Sequence, residues 1–183
     1  MKRVGLTACL AMLLMLCSCS SDDTYSTYSK YKASFTYNKV MTAEPLRSAL
    51  TGLGEFCSIT LGTNSVDFKS LTKSYSDPIT ATEMYYQHFV CINGFIVGKS
   101  NMPDMKTYDL VIMCFDLACP NCHRDDAVNR SLTLQEGGFA YCSRCKRKYS
   151  LNNGGLVTDG DAGRPLERYH ISYDGSNRMA ITN

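Results

Sequence analysis

The sequence predicts an all-β domain, most simply an antiparallel β-sandwich, with a barrel as the alternative and a small metal-binding subdomain. Three observations support this fold class. From about residue 33 onward, apolar residues recur mainly at every second position, which is the period of a half-buried strand. Clusters of Gly, Pro, Asn and Asp separate these segments at short intervals, as in domains built from many short strands. Two Cys-x-x-Cys pairs in the C-terminal half mark the subdomain.

Nine segments have the length and composition of short strands. In chain order they are Phe35 to Val40, Phe56 to Leu61, Val66 to Leu71, Phe89 to Val97, Tyr108 to Phe115, Ser131 to Leu134, Phe139 to Tyr141, Tyr169 to Tyr173 and Arg178 to Thr182. One segment departs from this pattern, because Thr80 to Glu83 has the spacing of a capping box and predicts a short helix over roughly residues 81 to 87. The same segment is also compatible with a strand.

The N-terminal segment has the pattern of a signal peptide. Lys2 and Arg3 precede a nearly continuous apolar run, Val4 to Leu16, which is too short to span a membrane comfortably. The end of this segment, Leu16 to Cys19, resembles the lipobox of bacterial lipoproteins, with a leucine, a small residue before the cysteine and the acceptor cysteine itself. We therefore predict a signal peptide over residues 1–18 and lipidation of Cys19.

Residues 19–32 are then a solvated tether, and residues 33–183 form the domain. The tether contains Ser, Thr, Tyr, Asp and Lys without aliphatic residues beyond Cys19. Several acyl chains on Cys19 would anchor the chain stably to a membrane. Ser20 argues against retention in the inner membrane, so the predicted location is the outer membrane, on its periplasmic side or at the cell surface.

Composition and charge exclude several functional classes. The chain has 183 residues, 44% of them apolar, and a single long apolar run, which excludes a disordered polymer, a collagen and a polytopic membrane protein. Without Lys2 and Arg3 it has 17 basic and 17 acidic residues, so we expect no nucleic-acid partner. The sequence has no phosphate-binding glycine loop, nucleophile elbow or paired carboxylate motif, so we predict no catalytic residues.

Ten cysteines are the outstanding feature, and four of them have the spacing of metal ligands. The pairs Cys119/Cys122 and Cys142/Cys145 are separated by 19 residues, enough for a β-hairpin to bring two knuckle loops face to face. Four converging thiolates suit tetrahedral zinc, mononuclear iron or a [2Fe-2S] cluster. These four residues are the predicted metal ligands.

Disulfides are the alternative, because an exported protein meets an oxidising compartment. Besides Cys19, the mature chain holds seven cysteines, an odd number that cannot all pair within one chain. Cys57, Cys91 and Cys114 lie in apolar strand segments and are expected in the core, with a Cys91–Cys114 disulfide left open. The regular spacing of the two pairs favours the metal site.

The C-terminal half resembles the Rieske [2Fe-2S] family. Cys142 to Ser150 aligns with the Rieske pattern Cys-Pro-x-His-Gly-x-x-Phe/Tyr, and Gly163 to Tyr169 is similar to the Gly-Pro loop and aromatic strand that close the family's domain. Gly94 to Gly98 and Tyr108 to Cys119 are similar to the hairpin that enters the first metal loop. The resemblance covers roughly residues 45 to 183 and implies a Rieske-like β-sandwich, a [2Fe-2S] cluster and a protein redox partner.

The ligands depart from the Rieske pattern. A Rieske centre uses two cysteines and two histidines, whereas Cys145 occupies the second histidine position here and the first loop, ending in Cys122, is one residue longer. His123 follows Cys122 directly and cannot easily reach the same metal. All-thiolate ligation removes the imidazoles that give Rieske clusters their high potential, so we expect neither quinol oxidation nor electron delivery to an oxygenase.

Three functions remain open from the sequence. The first is a non-enzymatic, membrane-anchored domain whose four cysteines hold structural zinc or electron-carrying iron, with ligand chemistry favouring zinc and the resemblance favouring [2Fe-2S]. The second is a thiol-disulfide or redox-sensing protein that uses the Cys-x-x-Cys pairs. That function is typical of a pair at a helix N-terminus between parallel strands, which the sequence does not predict. The third is a surface-binding lipoprotein whose metal only stabilises the scaffold.

Overall fold

The computed structural model describes residues 28–80, 88–104 and 108–183, and it confirms the all-β prediction. Two helices and twelve strands lie within these residues. In chain order they are β1 (Ser34–Tyr37), α1 (Glu44–Thr51), β2 (Phe56–Leu61), β3 (Ser65–Lys69), β4 (Ser74–Pro78), β5 (Phe95–Lys99), β6 (Ile112–Asp116), α2 (Pro120–Asp126), β7 (Thr133–Gln135), β8 (Phe139–Tyr141), β9 (Lys148–Ser150), β10 (Leu156–Asp159), β11 (Arg168–Tyr173) and β12 (Met179–Thr182). Neither of these two helices is long and apolar enough to cross a membrane.

Eight strands form one antiparallel sheet in the order β1-β12-β11-β6-β5-β2-β3-β4. The sheet curls until its two edge strands approach each other. There the Tyr37 hydroxyl of β1 donates a hydrogen bond of 3.2 Å to the Asp77 carboxylate of β4, and Lys39 lies 3.1 Å from the same carboxylate. Because Asp77 is buried, these two partners compensate for the loss of hydration of its charge.

The curled sheet encloses the first core. Helix α1 packs against this sheet, and its apolar residues Leu46, Ala49 and Leu50 are buried at helical spacing. Aromatic rings fill the interior, with Phe35 and Phe95 stacked at 6.2 Å between ring centroids. Strands β5 and β6 contribute Phe95, Val97 and Cys114 to this core, and β6 leads into the cysteine subdomain.

A four-stranded antiparallel sheet, β10-β9-β8-β7, forms the subdomain and packs on the outer face of the large sheet. Successive side chains of a strand point to opposite faces of the sheet, so both faces of the large sheet become buried where the small sheet packs on it. In β6, Cys114 points into the first core, whereas its neighbours Met113 and Phe115 join the second core together with Ala140 and Tyr149 of the small sheet. The second core also contains Cys119, Cys122 and Cys142.

Several sequence predictions of elements need correction. Helices α1 and α2 and strands β4, β9 and β10 lie in segments where the sequence predicts neither a helix nor a strand. The segment predicted as one strand over Phe89 to Val97 becomes regular only at Phe95, since Gly94 has φ +108° and residues 92 and 93 turn to bind the Asp116 carboxylate. The predicted helix over residues 81 to 87 lies outside the described residues.

Candidate metal centre

The four predicted metal ligands meet at one point. The Sγ atoms of Cys119, Cys122, Cys142 and Cys145 all lie within 4.8 Å of one another. Two close approaches run between the pairs, 3.5 Å from Cys119 to Cys145 and 3.7 Å from Cys122 to Cys142. All four are free thiols, three of them buried and Cys145 partly exposed.

The first pair lies at the start of helix α2, where the sequence predicted a knuckle loop. Cys119 is the residue before the helix and Cys122 lies in its first turn, with Pro120 at the position that favours helix initiation. The backbone N–H of Cys119 donates to the carbonyl of Arg130 at 2.8 Å, which holds this residue against the chain leaving the helix. The helix connects β6 of the large sheet to β7 of the small one, so no parallel βαβ unit surrounds the pair.

The second pair forms the predicted knuckle, at the turn between β8 and β9. The strands pair antiparallel up to Tyr141 and Lys148, and the Cys142 N–H extends the ladder by donating to the Arg147 carbonyl at 3.0 Å. Lys146 closes the turn with its N–H on the Cys142 carbonyl at 2.9 Å and has φ +62°. This left-handed residue lets the chain reverse while Cys142 and Cys145 point to the same side.

Two polar residues hold the Cys119 sulfur in place. The Tyr149 hydroxyl accepts a hydrogen bond of 2.9 Å from the Asn121 side-chain amide and lies 3.2 Å from Cys119 Sγ, so its own proton is directed at the sulfur. Both residues are buried. Because they join the two cysteine loops, they orient Cys119 in the manner of the outer hydrogen bonds around metal ligands.

A third loop, residues 160–166, covers the site. The Asn121 side chain makes two hydrogen bonds to this loop. Its oxygen accepts from the Arg164 N–H at 3.0 Å, and its NH₂ group donates to the Arg164 carbonyl at 3.2 Å. The Arg147 guanidinium donates to the carbonyls of Asp161 and Ala162 at 2.9 and 3.2 Å. A Cβ on Gly163 would lie 2.7 Å from the Asn121 oxygen, so only glycine permits this close approach.

Positive groups and N–H donors surround the sulfurs. Burial alone would raise the pKa of Cys145, but the backbone N–H and the guanidinium of Arg147 stabilise its thiolate and lower the pKa to about 7. Burial raises the pKa of the Cys119 thiol, and the hydrogen bond from Tyr149 offsets only part of this rise. Two other neighbouring cations have their own partners, since Arg144 pairs with Asp126 and Lys148 lies over the Phe139 ring. A bound divalent cation would favour all four thiolates in the same way.

The remaining cysteines and histidines lie apart from the metal centre. Cys57 and Cys114 are fully buried in the first core, and Cys91 is partly exposed beside it, all as free thiols. His123 lies outside the sulfur cluster and has Nδ1 2.6 Å from the Asn129 side-chain oxygen. The exposed ring of His170 stacks on Tyr28. His88 is exposed at a residue with φ +44°.

Comparisons with known proteins add no family. No protein-family model matches the chain, and no curated protein matches it.

Removing the Tyr149 hydroxyl tests its role at the sulfur. We expect Tyr149→Phe to lower the free energy of unfolding by about 1 kcal/mol, since one buried hydrogen-bond network loses its central oxygen. The variant should also bind zinc more weakly in a chelator competition. Tyr141→Phe on the neighbouring strand is the matched control, because no hydrogen bond is described for its hydroxyl. Equal zinc affinity in both variants would contradict a role for Tyr149 in orienting Cys119.

Proposed function

We propose that Cys119, Cys122, Cys142 and Cys145 bind one zinc ion that ties helix α2 to the β8–β9 turn. The mutual distance of the four sulfurs carries this proposal, since none lies more than 4.8 Å from any other. Zn–S bonds of about 2.3 Å in a tetrahedron separate the sulfurs by roughly 3.8 Å. The contacts of 3.5 and 3.7 Å are close to that separation.

A [2Fe-2S] cluster fits this arrangement less well. Such a cluster distributes its four protein ligands over two irons. Thiolates on different irons are then separated by the length of the cluster, further than thiolates that share one ion. The compact set of sulfurs therefore favours a mononuclear centre, and the Rieske resemblance with its cluster stays a prediction.

The small sheet explains why a structural ion would be useful. Strands β7, β8 and β9 contain only three residues each, and sheets this short are marginal without further support. Three of the four cysteines are part of the core beneath this sheet. Zinc would replace weak thiol contacts by four bonds that join α2 to the hairpin, so its binding free energy would also stabilise the fold.

Four protein ligands leave no open position on the ion, so we propose a non-enzymatic, non-hydrolytic site. We also propose that the domain is a lipoprotein anchored to the outer membrane through Cys19. This part rests on the signal-peptide and lipobox pattern of residues 1–19, which lie outside the described residues. Electron transfer to a protein partner is the second candidate function. It is favoured by the partial exposure of Cys145, which would give a partner access to an iron centre.

Metal analysis of the chain purified without oxygen tests the proposal. We expect a colourless protein with one zinc per chain and four thiols that an alkylating reagent modifies only after the metal is removed. A coloured protein with one iron per chain would show that the centre is a mononuclear iron site and would favour electron transfer over structural zinc. Two irons with inorganic sulfide would overturn the mononuclear centre, and a protein without metal would overturn the site itself.

A further inference from the structure

We propose that the metal centre is also a peroxide-sensitive switch, in which oxidation expels the ion and leaves two disulfides between the cysteine pairs, Cys119 with Cys145 and Cys122 with Cys142. This inference rests on the proposed metal centre and assigns a chemical reaction to it. The oxidant class is a hydroperoxide. The product differs from disulfides formed within the two Cys-x-x-Cys pairs.

Two close sulfur contacts between the pairs indicate the disulfide partners. The approaches of 3.5 Å between Cys119 and Cys145 and 3.7 Å between Cys122 and Cys142 both join helix α2 to the β8–β9 turn. A disulfide has a sulfur-sulfur distance of about 2.05 Å, so each pair needs to close by less than 2 Å. Departure of the ion frees the sulfurs to make this movement.

Cys145 is the entry point for the oxidant. Cys119 and Cys142 are fully buried and Cys122 is only 2% exposed, whereas Cys145 is partly exposed on the turn. Its neighbours Ser143 and Lys146 are exposed, so solvent reaches this side of the site. The Cys119 sulfur lies directly behind it and is shielded from solvent, which favours attack within the site over further oxidation.

The reaction balances with hydrogen peroxide as the oxidant. The Cys145 thiolate attacks one peroxide oxygen, the O–O bond breaks, and with one proton a sulfenic acid and water form. Cys119 then attacks the sulfenic sulfur, and its thiolate with a further proton gives the disulfide and a second water. A second peroxide converts Cys122 and Cys142 in the same way. In total, two peroxides, four thiolates and four protons give two disulfides and four waters, and the divalent ion enters the solvent.

The two disulfides keep helix α2 joined to the β8–β9 turn. Disulfides within the pairs would leave α2 and the turn without a covalent link. Side-chain contacts such as Asn121 with Tyr149 and Arg144 with Asp126 would then hold the helix to the hairpin without a covalent or metal link. The cross-linked pairs replace the metal connection by covalent bonds, so the small sheet remains folded after the ion is lost.

The experiment uses the full chain, reduced and loaded with zinc, and hydrogen peroxide. We expect release of one zinc per chain, measured with a chromogenic chelator, together with peptides linked through Cys119–Cys145 and Cys122–Cys142 in mass spectrometry. A brief exposure with a sulfenic-acid trap should label Cys145 before the other three cysteines. Cys91→Ser is the matched control, since Cys91 is a partly exposed thiol outside the centre, and this variant should release zinc like the unsubstituted chain.

The outcomes separate this inference from the proposed function. Links within the pairs, zinc retained under peroxide, or first labelling at a buried cysteine would each overturn the switch while leaving the zinc centre intact. A reduced protein that never holds a metal would overturn the proposed function, because the switch would then have no ion to release.

Discussion

Replacing Cys142 by serine is expected to abolish stoichiometric zinc binding and to lower the free energy of unfolding by roughly 3 kcal/mol or more, since the binding free energy of a structural zinc ion, roughly 10–16 kcal/mol, also stabilises the fold. Cys142 is fully buried and lies at the end of β8, where the hairpin enters its turn. A serine hydroxyl is a poor zinc ligand and leaves a polar group among the remaining sulfurs. Zinc content and thermal unfolding of the same preparation measure both effects.

A chelator separates loss of the metal from loss of packing. We expect EDTA to lower the melting temperature of the unsubstituted chain toward that of Cys142→Ser and to leave the variant nearly unchanged. Cys57→Ser is the control for burying a hydroxyl, because Cys57 is equally buried but lies in the first core. If both variants retain one zinc per chain, the proposed ligand set is wrong.

The strands whose bounds were predicted correctly are those with a clear local sequence pattern. Strand β2 has its predicted bounds because an apolar segment ends at Gly62, and β8 because it follows the glycine turn at residues 137 and 138. Helix α1 has a sequence signal of its own, with Pro45 near its start and apolar residues at helical spacing, but the segment lies among residues whose pattern predicts strands. Strand β4 has little apolar content, and it is held by its pairing with β3 and by the distant contact of Asp77 with Tyr37.

In the metal centre, too, local sequence patterns predict some features and leave out those that depend on distant contacts. Cysteine spacing sufficed to predict the four ligands, because two residues between cysteines already bring their sulfurs together. The contacts that orient the ligands join residues far apart in sequence. Asn121 reaches Tyr149 over 28 positions and Arg164 over 43 positions, and no local pattern reports such pairs. Pro120 at the start of α2 is a local helix signal, but the spacing of Cys119 and Cys122 is also typical of a knuckle loop.

The second large effect is expected at Asp116, a buried carboxylate that lies three positions before Cys119. Each of its oxygens accepts two hydrogen bonds. One oxygen accepts from the Ile92 N–H at 2.9 Å and the Tyr169 hydroxyl at 3.0 Å, and the other accepts from the N–H groups of Asn93 and Ala118 at 3.2 and 2.8 Å. All four partners donate, so the site requires a carboxylate and rejects an amide.

Asp116→Asn is therefore expected to destabilise the domain by roughly 3 kcal/mol, because the new NH₂ group faces two donors that lose their acceptor inside the core. In a domain of this size that loss corresponds to a fall in melting temperature of roughly 6–12 °C. Zinc affinity should fall as well, since the Ala118 N–H fixes the backbone immediately before Cys119. Asp159→Asn on the exposed strand β10 is the control and should leave both quantities unchanged. A variant that unfolds at lower temperature but binds zinc with unchanged affinity would show that Asp116 supports the large sheet alone. Reduced affinity would show that the buried carboxylate positions the first ligand from within the scaffold.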